Sequence, residues 1–118
     1  MRIVIAGSRE FTDYSVAELF IDQCISKIRE KEPLIFMSGG CRGADEIGER
    51  YAKAHGIGVE RYSADWKKYG RRAGPIRNRQ MAQTADMVMC FWDGKSGGTK
   101  SMIECADRLG KHVIIKII

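Results

Sequence analysis

Two glycine turns carry the residue types in this sequence that could do chemistry. SGG at residues 38–40 ends an apolar run, and SGGT at residues 96–99 leads into a helical pattern. Glycine lets a backbone approach a ligand closely, and the exposed N–H groups at a helix start favour an anion. The pattern predicts phosphate-binding turns that each open a helix; tight turns without a ligand are the alternative.

A third turn has the same position relative to its strand. Gly7 ends the first apolar run and is followed by Ser8 and Arg9. Thr99 is expected either to cap its helix or to donate its hydroxyl to a phosphate. Three such turns at equivalent strand ends favour a ligand more than one turn would.

Two common nucleotide motifs are absent. A dinucleotide-binding domain needs G-x-G-x-x-G after its first strand, and here that turn has only Gly7. The GKS at residues 94–96 has Met89 where a Walker A loop requires glycine. We therefore expect neither a nicotinamide-dependent oxidoreductase nor a P-loop enzyme.

A short basic segment accounts for the net charge. The chain carries +5, and residues 65–79 hold six basic side chains against one acidic one, so the other residues cancel. The basic residues are Lys67, Lys68, Arg71, Arg72, Arg77 and Arg79. Either this is a solvated face, or it is a positive field for phosphates or nucleic acid. Trp66 and Tyr69 within it could stack on a base or anchor the loop.

Composition narrows the class of protein. The 118 residues are 44% hydrophobic and 30% charged, typical of one globular domain over residues 1–118. No apolar run approaches the roughly 18 residues that span a bilayer, and MRIVIAG is not a signal peptide, so we expect a cytoplasmic protein that contacts no membrane. The four cysteines and two histidines lack metal-ligand spacing. We expect reduced, partly buried thiols, with Cys41 the one to test for reactivity, and neither a metal nor a cofactor.

Strand and helix patterns alternate along the chain. Strands are predicted at residues 2–7, 33–40, 58–62, 86–92 and 112–118, and helices at 14–31, 44–55, 74–84 and 100–109. This order predicts an α/β fold: a three-layer Rossmann-like parallel sheet of about five strands with helices on both faces. Ligands of such sheets bind beyond the carboxyl ends of the strands, where the glycine turns stand.

Four segments resemble one family. GSREFTD (7–13), SGGCRGAD (38–45), ADWKKYGRRAGPIRNRQM (64–81) and SGGTKSM (96–102) resemble the small bacterial and phage YspA-type proteins of the SLOG superfamily. That superfamily includes LOG phosphoribohydrolases, Smf/DprA DNA-processing proteins and inferred sensors of nucleotide signals. The resemblance covers nearly the whole chain and implies a Rossmannoid fold with a nucleotide-like ligand.

The LOG catalytic pattern is reproduced only in part. LOG enzymes place an arginine four residues before a methionine, as Arg77 and Met81 stand here, and a glutamate three residues after the threonine of G-G-x-G-T. Here the turn is G-G-T, and Met102 stands at that third position. Glu104 is displaced by about 200° around a helix, which predicts that it points away from the site.

Glycosidic cleavage would therefore need another acid. Positive charge builds on the ribose as the bond breaks, and a carboxylate stabilises it. Asp45 is the best placed, although an ordinary helix-start carboxylate is the alternative. Asp13 is expected to cap a helix and Asp65 to be a loop acid.

The sequence thus predicts a binder of a phosphorylated nucleoside or ADP-ribose-like ligand, with a sensor or sponge for a nucleotide signal as its role. The alternatives are a nucleotide hydrolase, with Arg77 and Asp45 catalytic, and a single-stranded nucleic-acid binder. The predicted ligand-binding residues are Gly7, Ser8, Arg9, Gly39, Gly40, Asp45, Trp66, Arg77, Asn78, Ser96, Gly97, Gly98 and Thr99. A homo-oligomer, dimer or higher, is also expected, because the last strand is followed by no helix that would cover the sheet.

Overall fold

The part of the chain that the structure describes contains five strands separated by helices, with two of its five α-helices between the third and fourth strands. A computed structural model describes residues 1–28 and 32–118. The strands are β1 (Arg2–Gly7), β2 (Ile35–Ser38), β3 (Gly58–Arg61), β4 (Met87–Trp92) and β5 (His112–Ile117). The helices are α1 (Tyr14–Ser26), α2 (Ala44–Ala54), α3 (Trp66–Tyr69), α4 (Ala73–Thr84) and α5 (Gly97–Arg108), with a 3-10 turn at Gly70–Arg72.

All five strands are parallel and pair in the order β3-β2-β1-β4-β5. The chain winds outward from β1 to β3 and then returns to start the other half at β4. The winding direction therefore reverses between β1 and β4, and a ligand crevice is expected at their carboxyl ends.

The core lies on both faces of the sheet. Ile3 and Ile5 of β1 pack into the cluster that contains residues of α1 and α2, while Val4 and Ala6 pack into the cluster of α4 and α5. Such alternation of two apolar faces is what a central parallel strand requires. The predicted α/β class, with helices on both faces of a parallel sheet, is confirmed.

Some element bounds differ from the prediction. Helix α1 ends at Ser26, and residues 29–31 of the predicted 14–31 helix lie outside the described residues. Helix α4 begins at Ala73, just before the start of the predicted range 74–84. The expected loop after residue 65 instead forms α3 and the 3-10 turn.

The four cysteines are free, with Cys90 buried and the other three half-buried, as the sequence predicts. Within residues 1–28 and 32–118, no three His, Cys, Asp or Glu side chains come together as a metal site. Across the same residues, none of the helices combines the length and apolar character needed to span a bilayer.

Candidate functional site

A cavity of about 290 Å³ opens at the carboxyl ends of the strands, where the winding direction reverses. Thirteen residues line it, and nine of them are predicted ligand-binding residues: Gly7, Arg9, Gly39, Asp45, Arg77, Asn78, Ser96, Gly98 and Thr99. The other four are Ala6, Cys41, Met81 and Met102. The topology thus brings three turns and three helices (α2, α4 and α5) together around one space.

Gly7 sits at the end of β1, where three elements meet closely. A Cβ atom there would lie 2.2 Å from the carbonyl oxygen of Phe91 and 2.9 Å from Cβ of Ala44. No side chain fits this space, so glycine lets α2 begin directly against the β1–β4 pair. The start of α2, which carries Asp45, is therefore held at the cavity.

The turn at residues 38–41 forms one wall of the cavity. The Gly39 carbonyl accepts a hydrogen bond from Arg77 Nη1 at 2.8 Å, and the Cys41 N–H donates to Asp45 Oδ2 at 3.1 Å. A Cβ on Gly39 would lie 2.9 Å from both of those side-chain atoms. This turn is consequently packed against a basic and an acidic side chain at once.

Arg77 is a buried guanidinium, only 9% exposed, which α4 points into the cavity. Its Nε donates to Asn78 Oδ1 at 3.1 Å, and Asn78 Nδ2 donates to the Gly98 carbonyl at 3.3 Å. Among the described residues it forms no ion pair with a carboxylate, and its Nη2 has no protein acceptor. Its charge acts on the nearby Asp45 carboxyl without bonding to it, so the guanidinium can still bind an anionic ligand directly.

The start of α5 forms the opposite wall. The first intrahelical bond runs from the Lys100 N–H to the Ser96 carbonyl, so the N–H groups of Gly97, Gly98 and Thr99 have no acceptor within the helix. The preceding turn is held by Asp93, which accepts from the Ser96 N–H at 2.7 Å. The positive end of a helix therefore lies at the cavity, together with two lining residues, Gly98 and Thr99, whose N–H groups are free.

The prediction that both double-glycine turns open helices is half right. Gly97 and Gly98 are the first two residues of α5 and do not form a turn before it. Gly39 and Gly40 lie several residues before α2, and the Gly40 N–H is already bonded to Ser38 Oγ at 3.0 Å. Only the second turn therefore presents free helix-start amides.

Asp45 is the only carboxylate that lines the cavity, within the part of the chain that the structure describes. It is 7% exposed, and burial raises its pKa to about 6, although the Cys41 N–H and the Arg77 charge oppose the rise. At neutral pH the chain therefore keeps a poorly solvated carboxylate beside an unpaired arginine. Buried groups with shifted pKa values are typical of functional sites.

Replacing Asp45 by asparagine is expected to stabilise the protein at pH 7. A carboxyl whose pKa is raised on folding contributes stability only at low pH, and that contribution is lost as the pH rises through about 6. At neutral pH the free energy of unfolding is therefore lower by about 3 kcal/mol. Asp45→Asn avoids this loss and keeps an acceptor for the Cys41 N–H. Urea unfolding at pH 4.5 and pH 7 should show the variant's advantage growing with pH; a constant difference would contradict the shift.

Four predicted ligand-binding residues do not line the cavity. Ser8 is buried in a turn, where its Oγ accepts from the Glu10 N–H at 3.4 Å, and Gly40 faces the Arg61 side chain. Gly97 is outside the lining although its neighbours are in it. Trp66 is 53% exposed at the start of α3 and packs near Gly74. The structure therefore does not bring these four residues to the cavity lining.

The other acids take the roles of caps and surface groups. Asp13 caps α1 through the Val16 N–H at 3.2 Å, as predicted, whereas Asp65, expected in a loop, caps α3 through the Lys68 N–H at 3.1 Å. Glu104 is exposed and lies 4.0 Å from Lys100 Nζ, while Met102 faces the cavity. The prediction that Glu104 points away from the site is confirmed.

The basic segment divides in two. Arg77 enters the cavity, but the other basic side chains are exposed and do not line it. We call the exposed group on α3 and the 3-10 turn the basic face; it consists of Lys67, Lys68, Arg71 and Arg72. Its charge is available to solvent and separate from the cavity lining.

Only weak patterns in the sequence point to the four cavity-lining residues that were not predicted to bind a ligand. Met81 stands four residues after Arg77 and Met102 three after Thr99, so each shares a helix face with a polar lining residue. Ala6 lies on the β1 face opposite to Ile5. Cys41 is the thiol that the sequence singles out, and it lines the cavity half-buried.

Comparison with known proteins agrees with this fold. The model of the YspA, cpYpsA-related SLOG family matches residues 1–69. The Gene 61 protein of Mycobacterium phage D29 is 35% identical over 120 residues, which cover 96% of this chain and 94% of that protein. The X-ray structure of TM1055, a target of the Northeast Structural Genomics Consortium, superposes with a TM-score of 0.67 at 20% identity, covering 95% of this chain and 71% of that one.

The sequence resemblance to the SLOG superfamily is thereby confirmed. The solved structure supports the fold alone, whereas the family match covers more than half of the chain and the phage protein nearly all of it. This chain belongs to the YspA, cpYpsA-related SLOG family.

Proposed function

We propose that this protein binds a phosphorylated nucleoside or an ADP-ribose-like ligand in the cavity at the carboxyl ends of the strands. One observation carries the proposal: Arg77, which is buried and forms no ion pair among the described residues, lines the same cavity as the free amides at the start of α5. Two independent anion-favouring features that converge on one space suit a phosphate group.

The ligand would lie across the cavity. Its phosphate would accept hydrogen bonds from the amides of Gly98 and Thr99 and from Arg77, while Arg9 at the exposed rim adds positive charge. The ribose would then lie near Asp45. The volume of about 290 Å³ is at the low end of ligand sites, which span roughly 300–1,000 Å³. A nucleoside monophosphate suits that volume, whereas an ADP-ribose-like ligand would extend beyond the rim.

Binding without turnover is the form of the proposal that we favour. The position where LOG enzymes carry a glutamate is Met102, an apolar side chain that lines the cavity. A site that holds phosphate firmly but lacks that carboxylate suits a sensor or a sponge for a nucleotide signal.

The decisive experiment is mass spectrometry of small molecules that co-purify with the protein, followed by calorimetric titration with AMP and ADP-ribose. We expect a phosphorylated ribonucleoside to co-purify or one of the two probes to bind with a micromolar or lower Kd. A protein that purifies empty and binds neither probe would overturn the proposal.

Hydrolysis of the N-glycosidic bond is a second candidate, and Asp45 is the observation that favours it. A cavity carboxyl with a pKa near 6 is suited to proton transfer close to neutral pH. Chromatography of AMP incubated with the protein would reveal released adenine. If adenine appears, Asp45→Asn should abolish its release while leaving AMP bound.

Binding of single-stranded nucleic acid is a third candidate, favoured by the exposed basic face. Replacing its four residues by glutamine is expected to leave the Kd for AMP within about twofold, because none of them lines the cavity. If the wild-type protein binds a single-stranded oligonucleotide, the variant should lose most of that affinity and much of its salt dependence. A large loss of AMP affinity in the variant would contradict the separation of the two surfaces.

A further inference from the structure

The turn at residues 38–41 has two sides, and the side away from the cavity is held by charged groups. On the cavity side, the Gly39 carbonyl holds Arg77 and the Cys41 N–H holds Asp45. On the outer side stand Glu49, one helical turn after Asp45 on α2, and Arg61 at the end of β3. These outer residues do not line the cavity, and the proposed ligand contacts do not use them.

Glu49 joins three parts of the molecule. Its Oε2 accepts from Ser38 Oγ at 2.5 Å and from Arg61 Nε at 3.2 Å, and its Oε1 accepts from Arg61 Nη2. Ser38 Oγ in turn accepts from the Gly40 N–H at 3.0 Å. The carboxylate therefore links α2, β3 and the backbone of the turn in one network.

The packing reinforces these hydrogen bonds. The position of a Cβ on Gly40 lies 3.1 Å from Cδ of Arg61, so the backbone of the turn rests on the arginine stem. Burial raises the pKa of Glu49, but hydrogen bonds from Arg61 and Ser38 outweigh it and lower the pKa below its ordinary range. Glu49 is thus ionised at neutral pH, and charge-assisted bonds are the stronger kind.

We propose that Glu49 is a positioning residue for the proposed nucleotide site: through Ser38 and Arg61 it fixes the 38–41 turn, which holds Arg77 and Asp45 in place. The inference rests on the proposed function. The polar groups on the two sides of the turn lie on consecutive residues, so a shift of its backbone moves the Gly39 carbonyl and the Cys41 N–H together. A displacement of both groups misplaces a phosphate contact, and hence weakens binding.

The test is Glu49→Gln, measured in two ways. The amide keeps the side-chain size but replaces one acceptor oxygen with a donor, so it cannot satisfy both Arg61 and Ser38. We expect amide hydrogen exchange at Gly40 and Cys41 to accelerate about tenfold without ligand, and the Kd for AMP to rise about tenfold.

Glu60→Gln is the matched control. Glu60 precedes Arg61 on β3 and forms a two-bond pair of the same kind with Arg2, at 2.9 and 3.3 Å. It does not line the cavity, and its hydrogen bonds do not reach the 38–41 turn. Both the exchange rates and the AMP affinity should therefore stay within about twofold of wild type.

The two measurements separate failure of the inference from failure of the proposed function. If wild type binds neither AMP nor ADP-ribose, the proposed function fails, and the exchange rates alone still decide whether Glu49 orders the turn. Unchanged exchange in Glu49→Gln, or accelerated exchange with unchanged AMP affinity, would overturn the positioning role. Equal effects in the Glu60→Gln control would also overturn it.

A second variant guards against a folding defect. Ser38→Ala removes one hydroxyl of the same network and should give the same two effects. Because both residues act through one turn, the double variant should be little worse than either single one. Additive losses would mean that Ser38 and Glu49 act independently, which contradicts the inference.

Discussion

Arg77→Met is expected to weaken AMP binding about 100-fold. The guanidinium is buried at the cavity and forms no ion pair with any carboxylate in residues 1–28 and 32–118, so a bound phosphate would be its direct ionic partner. Removing a charge-assisted contact from such a site costs about 3 kcal/mol, which corresponds to the 100-fold loss. Calorimetric titration of both proteins with AMP measures it.

The fold should survive this substitution. The variant loses the hydrogen bonds to the Gly39 carbonyl and to Asn78, each of which contributes about 1 kcal/mol. Removal of a buried charge offsets part of that loss. Thermal unfolding should therefore remain cooperative, and a shift of a few degrees in Tm is expected.

Arg79→Met provides the matched control for Arg77. Arg79 lies on the same helix with the same charge, but it is exposed and does not line the cavity. Its substitution should change the Kd for AMP by no more than about twofold. Equal losses in the two variants would mean that net charge, and not the buried guanidinium, determines affinity.

The affinity for AMP is expected to fall as the pH rises above about 6, by up to about tenfold per pH unit at first. Asp45 is protonated at low pH because burial raises its pKa to about 6, and a bound phosphate would raise that pKa further. Ligand binding is therefore linked to proton uptake at Asp45. The affinity falls with rising pH because protonated Asp45 is uncharged and does not repel the phosphate, whereas ionised Asp45 does.

Charged groups around Asp45 determine the pH range over which the AMP affinity changes. Arg77 from α4 and Arg9 after β1 lower the pKa of Asp45, while Glu49 on its own helix raises it. The phosphate of AMP also titrates near pH 6, so a control must remove only the protein's contribution. Asp45→Asn does this, because it leaves the ligand's own titration intact.

Titrations at pH 5, 6, 7 and 8 with both proteins separate the two contributions. We expect the ratio of the wild-type Kd to the Asp45→Asn Kd to increase with pH and to level off once Asp45 is ionised in the complex. A ratio independent of pH would show that the ionisation of Asp45 does not affect AMP binding.

Much of the fold follows from local patterns in the sequence. The β-branched run in residues 2–7 and the apolar run in 86–92 form β1 and β4, the central strands, because only central parallel strands bury both faces. The spacing of Met102 and Glu104 also determines which of them faces the cavity, since helix geometry is regular. The strand positions and the orientation of α5 are therefore predicted correctly, although the bounds of several helices differ.

The incorrect predictions of cavity residues concern turns, where packing decides which way each residue faces. Gly39 and Gly40 are adjacent and identical in type, yet one faces the cavity and the other faces Arg61. Ser8 turns inward because its backbone closes a turn with Phe11 and Ala44, two contacts that depend on the tertiary fold. The sequence identifies these turns, but the packing of distant elements decides which side of each turn meets a ligand.

The switch between β1 and β4 also divides the cavity along the chain. Residues 1–69, which the family model matches, supply Arg9, Gly39 and Asp45, whereas Arg77 and the start of α5 come from the later stretch. The cavity is thus assembled from two consecutive stretches of the chain, one with its carboxylate and one with its buried guanidinium and helix-start amides. The hydrogen bond from Arg77 to the Gly39 carbonyl joins the two stretches, so a substitution in one can displace groups in the other.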